Sequence, residues 1–477
     1  MNLHTLASLL LESKNEVHSP ISEKVFTDTG DSQLNSVDTS GQKSFQSSEV
    51  FKDITGFCID SRILEPGNLF IAIQGEHFDG HKFVLDAQAK GAIGAVVNQF
   101  IAGVRMPQFL VSDSLQALAT LATYHRSTMH CPVIALTGSN GKTTVKEMIA
   151  AILPTPSHAT HGNLNNHIGA PLSVLKLQDT HQYAVFELGA NRAGDIAYTV
   201  AMVQPEVTLI NNIAPAHIEG FGSIDGVAVA KGEIHAGLAF GGTAVINDDD
   251  SYAHFWDEML VDKQVLRFSS VHPRDIYARD LCLDAQGRGH FSLITPKGKV
   301  DISLLVPGLH NVQNALAAAA CAYAVGISAA DIQRGLSQFK GVPGRMTFLT
   351  GKNQSVVIDD TYNANLRSVL TALDVLSKYP GKKIFVFGDM GELGSWTEQH
   401  HHEVGLSARQ LGIDMLFSCG IHSAFASKAF DDSKRHFVSQ DELVQDLLEE
   451  LTIDTTVLVK GSRSSAMENI VYKLLNG

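Results

Sequence analysis

From position 133 onward, apolar residues come in short unbroken runs separated by longer stretches of helical spacing; the runs lie at 133–136, 184–187, 207–211 and 244–246. A strand with no polar face is buried on both sides, and helices between such strands carry the chain back across a parallel sheet. Residues 277–306 break this rhythm and predict shorter antiparallel strands, with turns at Gln286-Gly287 and Pro296-Lys297-Gly298. An Ala-rich helix at 312–325 and another at 329–339 follow. After Gly341-Val342-Pro343-Gly344 a second alternation starts, with strands at 356–358, 384–387, 415–417 and 457–459 and helices at 365–378, 397–411, 423–429, 441–451 and 464–475. Upstream, Leu3, Leu6, Leu9 and Leu10 fall on one face of an amphipathic helix. Strands are predicted at 69–73, 95–97 and 109–111, helices at 82–89 and 114–126, and a short strand at Val25-Phe26. The polar, Ser- and Asp-rich stretch from 14 to 50 reads in part, at about 27–48, as a mobile surface insertion.

The pattern therefore predicts an α/β chain of three domains. These are a small α/β domain over 1–112, a central domain with a mostly parallel sheet over 113–341, and a Rossmann-like α/β domain over 342–477. A length of 477 residues agrees with that number of domains. Composition narrows the partners. The net charge of -14 counts against general nucleic-acid binding, so an anionic ligand must be gripped by local cations and backbone N–H groups. Cys58, Cys131, Cys282, Cys321 and Cys419 are scattered without a close pair, as expected of reduced thiols in a cytoplasmic protein and not of a disulfide or zinc framework. The N-terminal segment lacks the basic region of a signal peptide, and no apolar run reaches the length of a membrane span.

The candidate chemistry starts behind the first central strand, at Thr137-Gly138-Ser139-Asn140-Gly141-Lys142-Thr143-Thr144. Glycines let successive N–H groups turn into one cavity, the helix that follows adds positive potential, and Lys142 adds a full charge. Thr143 offers a hydroxyl to Mg²⁺. The stretch predicts a site for the β- and γ-phosphates of a nucleotide. The general pattern G-x-x-x-x-G-K-[ST] would need glycine at 136, where Leu136 stands, so this loop is of a shorter kind.

Other polar residues stand at ends of predicted elements. Glu187 ends a strand of the same sheet, where a carboxylate is placed to ligate Mg²⁺; the alternative is a surface turn. His217, in Asn211-Asn212-Ile213-Ala214-Pro215-Ala216-His217, suits a metal ligand, a base or a polar turn. Lys231 lies in a helix and either faces water or turns toward the metal site. There an ammonium would be repelled by Mg²⁺, whereas a carbamate formed from the neutral amine and CO₂ would be a ligand. In His310-Asn311-Val312-Gln313-Asn314, Asn311 suits a helix cap and Asn314 an adenine edge. Arg345 suits a γ-phosphate or an interdomain salt bridge, and Asp360 a ribose diol.

In this order, TGSNGKTT, ELGAN, NNIAPAH, AKGEI, HNVQN and PGRM resemble the Mur ligase family, ATP-dependent enzymes that form amide bonds in peptidoglycan precursor synthesis. With GNLNN, DDTYNAN, GDMGELG and VKGSRS, the chain is similar to the members that join D-alanyl-D-alanine to UDP-N-acetylmuramoyl-tripeptide. The likeness runs from about Asp60 to the C-terminus; 27–48 matches nothing in it, and Leu366 stands where many members have proline. The resemblance implies a cytoplasmic monomer that uses ATP and two Mg²⁺ ions. It implies Ser61, Arg62, Asp79 and His81 at the uridine end of one substrate, and Asn163, Asn166, Tyr362 and Asn363 near its reacting end. Gly138 to Thr144 with Asn314, Arg345 and Asp360 would bind ATP, and Thr143, Glu187, His217 and Lys231, the last as a carbamate, would hold the metal. Lys142, Lys231, His217 and Arg345 would carry the chemistry through an acyl phosphate. Rival readings are a folylpolyglutamate-type ligase of the same fold and a P-loop nucleotide switch that makes no amide.

Overall fold

The computed structural model describes Met1 and residues 3–12, 25–27, 35–36, 53–75, 78–215, 218–431 and 435–476. Of the predicted insertion at 27–48, only Thr27, Asn35 and Ser36 are among them.

The leucine spacing at the N-terminus forms α1 (Leu3–Glu12), which buries Leu6 and Leu10. The first sheet contains β1 (Val25–Thr27), β2 (Asn35–Ser36), β3 (Gly56–Cys58), β4 (Asn68–Ile71), β5 (Gly94–Val97) and β6 (Gln108–Leu110), in the order β2-β1-β6-β5-β4-β3. β3 to β6 are parallel and β1 is antiparallel to its neighbours. A short helix, α2 (Val84–Ala89), and a longer one, α3 (Ser114–Ser127), accompany it, and Asp113 caps α3 by accepting the Leu115 and Gln116 N–H groups.

The central unit runs through β7 (Val133–Thr137), α4 (Lys142–Ile152), β8 (Ser157–Ala159), α5 (Gly169–Val174), β9 (Tyr183–Glu187), α6 (Asp195–Val203), β10 (Val207–Ile210), α7 (Ile218–Phe221), α8 (Ile224–Ala236) and β11 (Thr243–Asn247). It continues with β12 (Gln264–Ser269), β13 (Ile276–Leu283), β14 (Arg288–Thr295), β15 (Gly298–Pro307), α9 (Leu309–Ala324) and α10 (Ala329–Gln338). The sheet order is β15-β14-β13-β12-β11-β10-β7-β9-β8, parallel from β8 to β13 and antiparallel beyond, as the change of rhythm at 277 predicts. β7 feeds two cores by simple alternation. Val133 and Ala135 point to the layer of α3, α5, α6 and α8, whereas Ile134 and Leu136 point to α4, α9 and α10. Leu136 is fully buried within β7, which is why the loop begins only at Gly138. Leu6, Leu69, Ile71 and Phe109 join the first of these cores, so the N-terminal sheet and one face of the central sheet share a hydrophobic layer.

β16 (Thr347–Thr350), β17 (Val356–Asp360), α11 (Leu366–Ser377), β18 (Lys382–Gly388), α12 (Thr397–Gln410), β19 (Met415–Cys419), α13 (Ala424–Phe430), β20 (His436–Phe437), α14 (Gln440–Glu449), β21 (Thr455–Lys460) and α15 (Glu468–Asn476) make the third unit. Its sheet order is β16-β17-β21-β18-β19-β20, parallel except for β16. The helix predicted over 464–475 is split: a single 3-10 turn precedes Ala466, whose φ of 46° stops it, and α15 starts at Glu468. Leu366 is the first residue of α11, a position that proline favours but does not require, because its N–H has no partner within the helix.

In the central sheet the chain goes from β7 outward to β8 and β9, then returns to place β10 on the other side. The carboxyl ends of β7 and β10 therefore diverge into a crevice, the place where open α/β sheets bind ligands.

Candidate active site

A cavity of about 550 Å³ opens at that crevice and is closed on its far side by the third unit. The loop Gly138–Gly141 forms its floor. Gly141 has φ 78°, and a Cβ there would lie 2.5 Å from Asn314 Oδ1 and 2.7 Å from Asn211 Nδ2, so no larger residue fits. The Ser139 hydroxyl donates to the Ala214 carbonyl at 3.0 Å and accepts the Ala214 N–H at 2.9 Å, fastening the loop to the segment after β10. Lys142 Nζ is folded back on its own loop, donating to the Gly138 carbonyl at 2.7 Å. Burial pushes its ammonium below the usual lysine range; Glu187 opposes that shift and Arg345 adds to it.

Glu187 ends β9 with 3% exposure, so the surface-turn alternative does not apply. Asn165 Nδ2 donates to its Oε1 at 2.7 Å, while Oε2 is buried with no protein partner. Lys231, on α8, is 2% exposed and does not face water. Burial holds its pKa well below the ordinary lysine value, and the Lys142 charge lowers it further. His217 lies outside the described residues. Among the described residues no three His, Cys, Asp or Glu side chains gather as a metal cluster. The donors available to a cation here are the free Glu187 oxygen and the Thr143 hydroxyl that Arg345 meets; Lys231 is not among the residues that line the cavity.

From the third unit, Arg345 enters the cavity. Its Nη2 donates to the Thr143 hydroxyl at 3.0 Å, its guanidinium carbon sits 4.1 Å from the centre of the Tyr362 ring, and its Nε is buried without a partner. Among the described residues it forms no interdomain salt bridge; it meets the phosphate loop at Thr143. Tyr362 is thus its platform, stacking against a delocalised cation. Asp360 is not free: Lys460 Nζ donates to Oδ2 at 2.6 Å and the Met346 N–H to Oδ1 at 3.2 Å. Lys460, 2% exposed, also donates to the Asn363 carbonyl at 2.9 Å. Asn311 is no cap, since α9 starts at Leu309 and Gly308 holds the N-cap position; its Nδ2 donates to the Pro307 carbonyl at 2.7 Å, and its Oδ1 accepts from Asn314 at 3.2 Å. Asn314 Oδ1 in turn accepts from Asn211 at 3.0 Å, which leaves this amide only part of its hydrogen-bonding capacity for a base.

The loop at 163–166 corrects one expectation. Asn163 lines the cavity, but Asn166 accepts the Ile168 and Gly169 N–H groups at 3.2 and 2.8 Å and serves α5 instead. Asn165 is the residue that reaches the centre. Ser61, Arg62, Asp79 and His81 do not line the cavity. They form two like turns beyond β3 and β4. Asp60 accepts the Arg62 N–H and pairs with its guanidinium, which holds the carboxyl down at about 2; Asp79 accepts the His81 N–H and its ring Nδ1 at 2.7 Å. His81 Nε2 accepts the Asn98 N–H at 2.9 Å, so both ring nitrogens are used in the fold, whereas the Arg62 side chain is 85% exposed.

The cavity wall carries Lys142, Arg345, Arg367 and Lys460 against Glu187 and Asp360, a local excess of positive charge in an acidic chain. The backbone cradle, the positive field and the unpartnered Arg345 Nε and Asn140 Nδ2 suit a polyphosphate, and the unpartnered Glu187 oxygen suits its cation.

Three family models match the chain: the Mur ligase family catalytic domain over 53–126, the Mur ligase middle domain over 136–322, and the Mur ligase glutamate ligase domain over 344–463. The UDP-N-acetylmuramoyl-tripeptide–D-alanyl-D-alanine ligase of Escherichia coli (strain K12) is 44% identical over 422 residues, spanning 87% of this chain and 92% of that one. The chain belongs to the Mur ligase family. Among solved structures, MurF from Acinetobacter baumannii aligns with a TM-score of 0.82 at 38% identity, covering 89% of this chain and 94% of that one. MurF from Thermotoga maritima in complex with ADP aligns at 0.75 and 26% identity, with 88% and 97% covered.

Asn165, Asn211, Asn365, Arg367 and Lys460 also line this cavity, though the sequence pattern did not single them out. Lys460 had a legible signal, a lysine ending an otherwise apolar strand. The asparagines had none, because adjacent loop amides point in opposite directions that spacing does not encode.

Proposed function

We propose that this chain is an ATP-dependent ligase that joins D-alanyl-D-alanine to UDP-N-acetylmuramoyl-tripeptide, releasing ADP and phosphate. The observation that carries the reading is the convergence of the phosphate loop, buried Glu187 and an arginine from another unit on one cavity, with buried Lys231 within reach of the Lys142 charge. A phosphate loop alone serves many reactions. The arginine and the shared cavity suit one in which the γ-phosphoryl group passes to a second anion, which requires locally gathered positive charge.

In this reading the tripeptide carboxylate takes the γ-phosphoryl group of ATP, giving an acyl phosphate and ADP. The neutral amine of the dipeptide then attacks the carbonyl carbon, and the tetrahedral intermediate expels phosphate. Lys142 and the loop N–H groups from Gly141 onward hold the β- and γ-phosphates, since Asn212 already takes the Ser139 and Asn140 N–H groups; this asks the Lys142 amine to leave the Gly138 carbonyl. Arg345, preset on Tyr362, meets the transferring group. Asn314 and Asp360 face adenine and ribose, the latter oriented by Lys460. Thr143, Glu187, His217 and a carbamylated Lys231 would hold Mg²⁺, whose bound charge would offset that of the meeting anions. Residues 1–112 receive the UDP-muramoyl end, with Arg62, exposed and paired with Asp60, as the cation offered there and Ser61, Asp79 and His81 shaping the turns. Residues 113–341 bind ATP. Residues 342–477 close over it and admit the dipeptide by a second opening of about 280 Å³ between Pro215, Glu392 and Arg463. We place the protein in the cytoplasm as a monomer; no helix among the described residues is long and apolar enough to cross a membrane.

Measuring ADP release with each substrate alone and with both together tests the reading. Release that requires both supports it. Release with neither points to a simple nucleotide switch, and a requirement for a folate points to the rival ligase.

A further inference from the structure

The phosphate loop and the third unit touch through a pair of asparagines whose orientations are mutually determined. Asn365 is the N-cap of α11: its Oδ1 accepts the Ser368 N–H at 2.9 Å, and its own N–H donates to the Ser368 hydroxyl at 3.0 Å. A backbone N–H can only donate, so the amide oxygen of Asn365 must face it and the NH₂ group must face the other way. That NH₂ donates to Asn140 Oδ1 at 2.8 Å. The Asn140 amide is thereby fixed as well, with Nδ2 directed away from Asn365, buried and without a protein partner.

The Asn140 backbone has no freedom to relieve this. Its N–H donates to Asn212 Oδ1 at 2.9 Å, and its carbonyl accepts from Asn211 and Asn212 Nδ2, both at 3.0 Å. Only the side-chain amide can turn. If it turns, it presents NH₂ to the Asn365 NH₂, and the interdomain bond is lost. A buried donor with no acceptor is unfavourable, and the cavity that Asn140 lines is suited to an oxygen-rich anion.

We propose that Asn140 and Asn365 form a closure latch set by phosphate. An anion oxygen on Asn140 Nδ2 holds the amide with its oxygen toward Asn365, and so holds α11 against the loop. Arg345 on Thr143 and Arg367, whose Nη1 donates to the Ile213 carbonyl at 3.0 Å, cross the same joint and are brought in together. Asn365 is a positioning residue that acts through Asn140. The inference rests on reading the cavity as a nucleotide site and adds the route by which occupancy draws the third unit in.

Asn365→Ser separates the latch from the cap. Serine caps a helix about as well as asparagine, so α11 stays intact, but its hydroxyl is too short to reach Asn140. With the full-length protein and the β,γ-imido analogue of ATP plus Mg²⁺, wild type is expected to become more compact by small-angle X-ray scattering. Asn365→Ser is expected to bind the analogue within about threefold of wild type, to lose that compaction, and to lose about tenfold in kcat, the size expected for one hydrogen bond. In an Asn140→Ala background the substitution should add nothing further. Undiminished compaction and kcat in Asn365→Ser would overturn the latch while leaving the ligase reading intact. Latch-dependent compaction without ADP release from the two substrates would leave the latch standing and remove the ligase reading.

Discussion

Lys231 is a lysine that burial has made into something other than a surface cation. Its pKa is driven down by desolvation and by Lys142, and no carboxylate among the described residues offsets the loss. Lys231→Ala should lower turnover by about 10²–10³-fold, the range for removing one preorganised charge at a reacting centre. Acetate should restore part of it if the residue acts as a carbamate; full turnover in the variant would leave Lys231 with a packing role only. Gly141 makes a second residue-scale case. At φ 78°, with two amides within 2.7 Å of where a Cβ would stand, Gly141→Ala must strain its backbone and displace Asn314 or Asn211. We expect at least about a tenfold loss of affinity for the ATP analogue by titration calorimetry, since left-handed strain adds to the clash. Lys142, Glu187 and Arg345 could be read from the chain because each follows a strand, glycine or proline signal. Asn165 could not be told from Asn166, since which amide turns inward depends on Glu187, a residue distant in sequence.

Among the elements, α8 joins site to core. One turn beyond Lys231, His235 is fully buried; its Nδ1 meets the Thr208 hydroxyl at 2.9 Å, its Nε2 has no partner, and burial pushes its pKa down to about 3. An unfolded histidine titrates near about 6.5, so between those values the unfolded chain binds more protons than the folded one. The stability associated with the neutral ring is therefore complete above about pH 6.5 and is lost progressively as pH falls toward 3. His235→Leu should show a smaller drop in urea midpoint between pH 7 and pH 5 than wild type; an equal drop would mean that other groups set the acid sensitivity. The same scale explains which elements the pattern revealed. β7, β9, β10 and β11 are continuous apolar runs. β8 and β12 are not, because β8 carries buried His158 and β12 begins exposed, and only pairing with β9 and β11 makes them strands.

Across the whole molecule, the joint between the central and third units is made of contacts to neutral oxygens: Arg345 to Thr143, Arg367 to Ile213, Asn365 to Asn140, and the Tyr379 hydroxyl to the Gln286 carbonyl. No ion pair among the described residues crosses it. Raising salt to about 0.5 M shortens the Debye length to a few ångströms and weakens exposed charge pairs. It should therefore leave the scattering profile of the protein saturated with the ATP analogue unchanged while raising the KM for ATP, whose phosphates the proposed reading places on Lys142 and Arg345. A salt-induced expansion would show that the joint depends on charge after all.

By itself the sequence determined the alternation of strands and helices, the short phosphate loop with Leu136 inside its strand, and the residue types gathered at strand ends, because these depend on periodicity and local backbone geometry. Only the tertiary structure decided that Lys231 and Glu187 are buried, that Arg345 meets Thr143 instead of an acid, that Asp360 is held by Lys460, and that Asn140 and Asn365 face each other. The reason is that burial, pKa and amide orientation are set by what lies across the cavity, and those groups come from segments up to 225 residues apart.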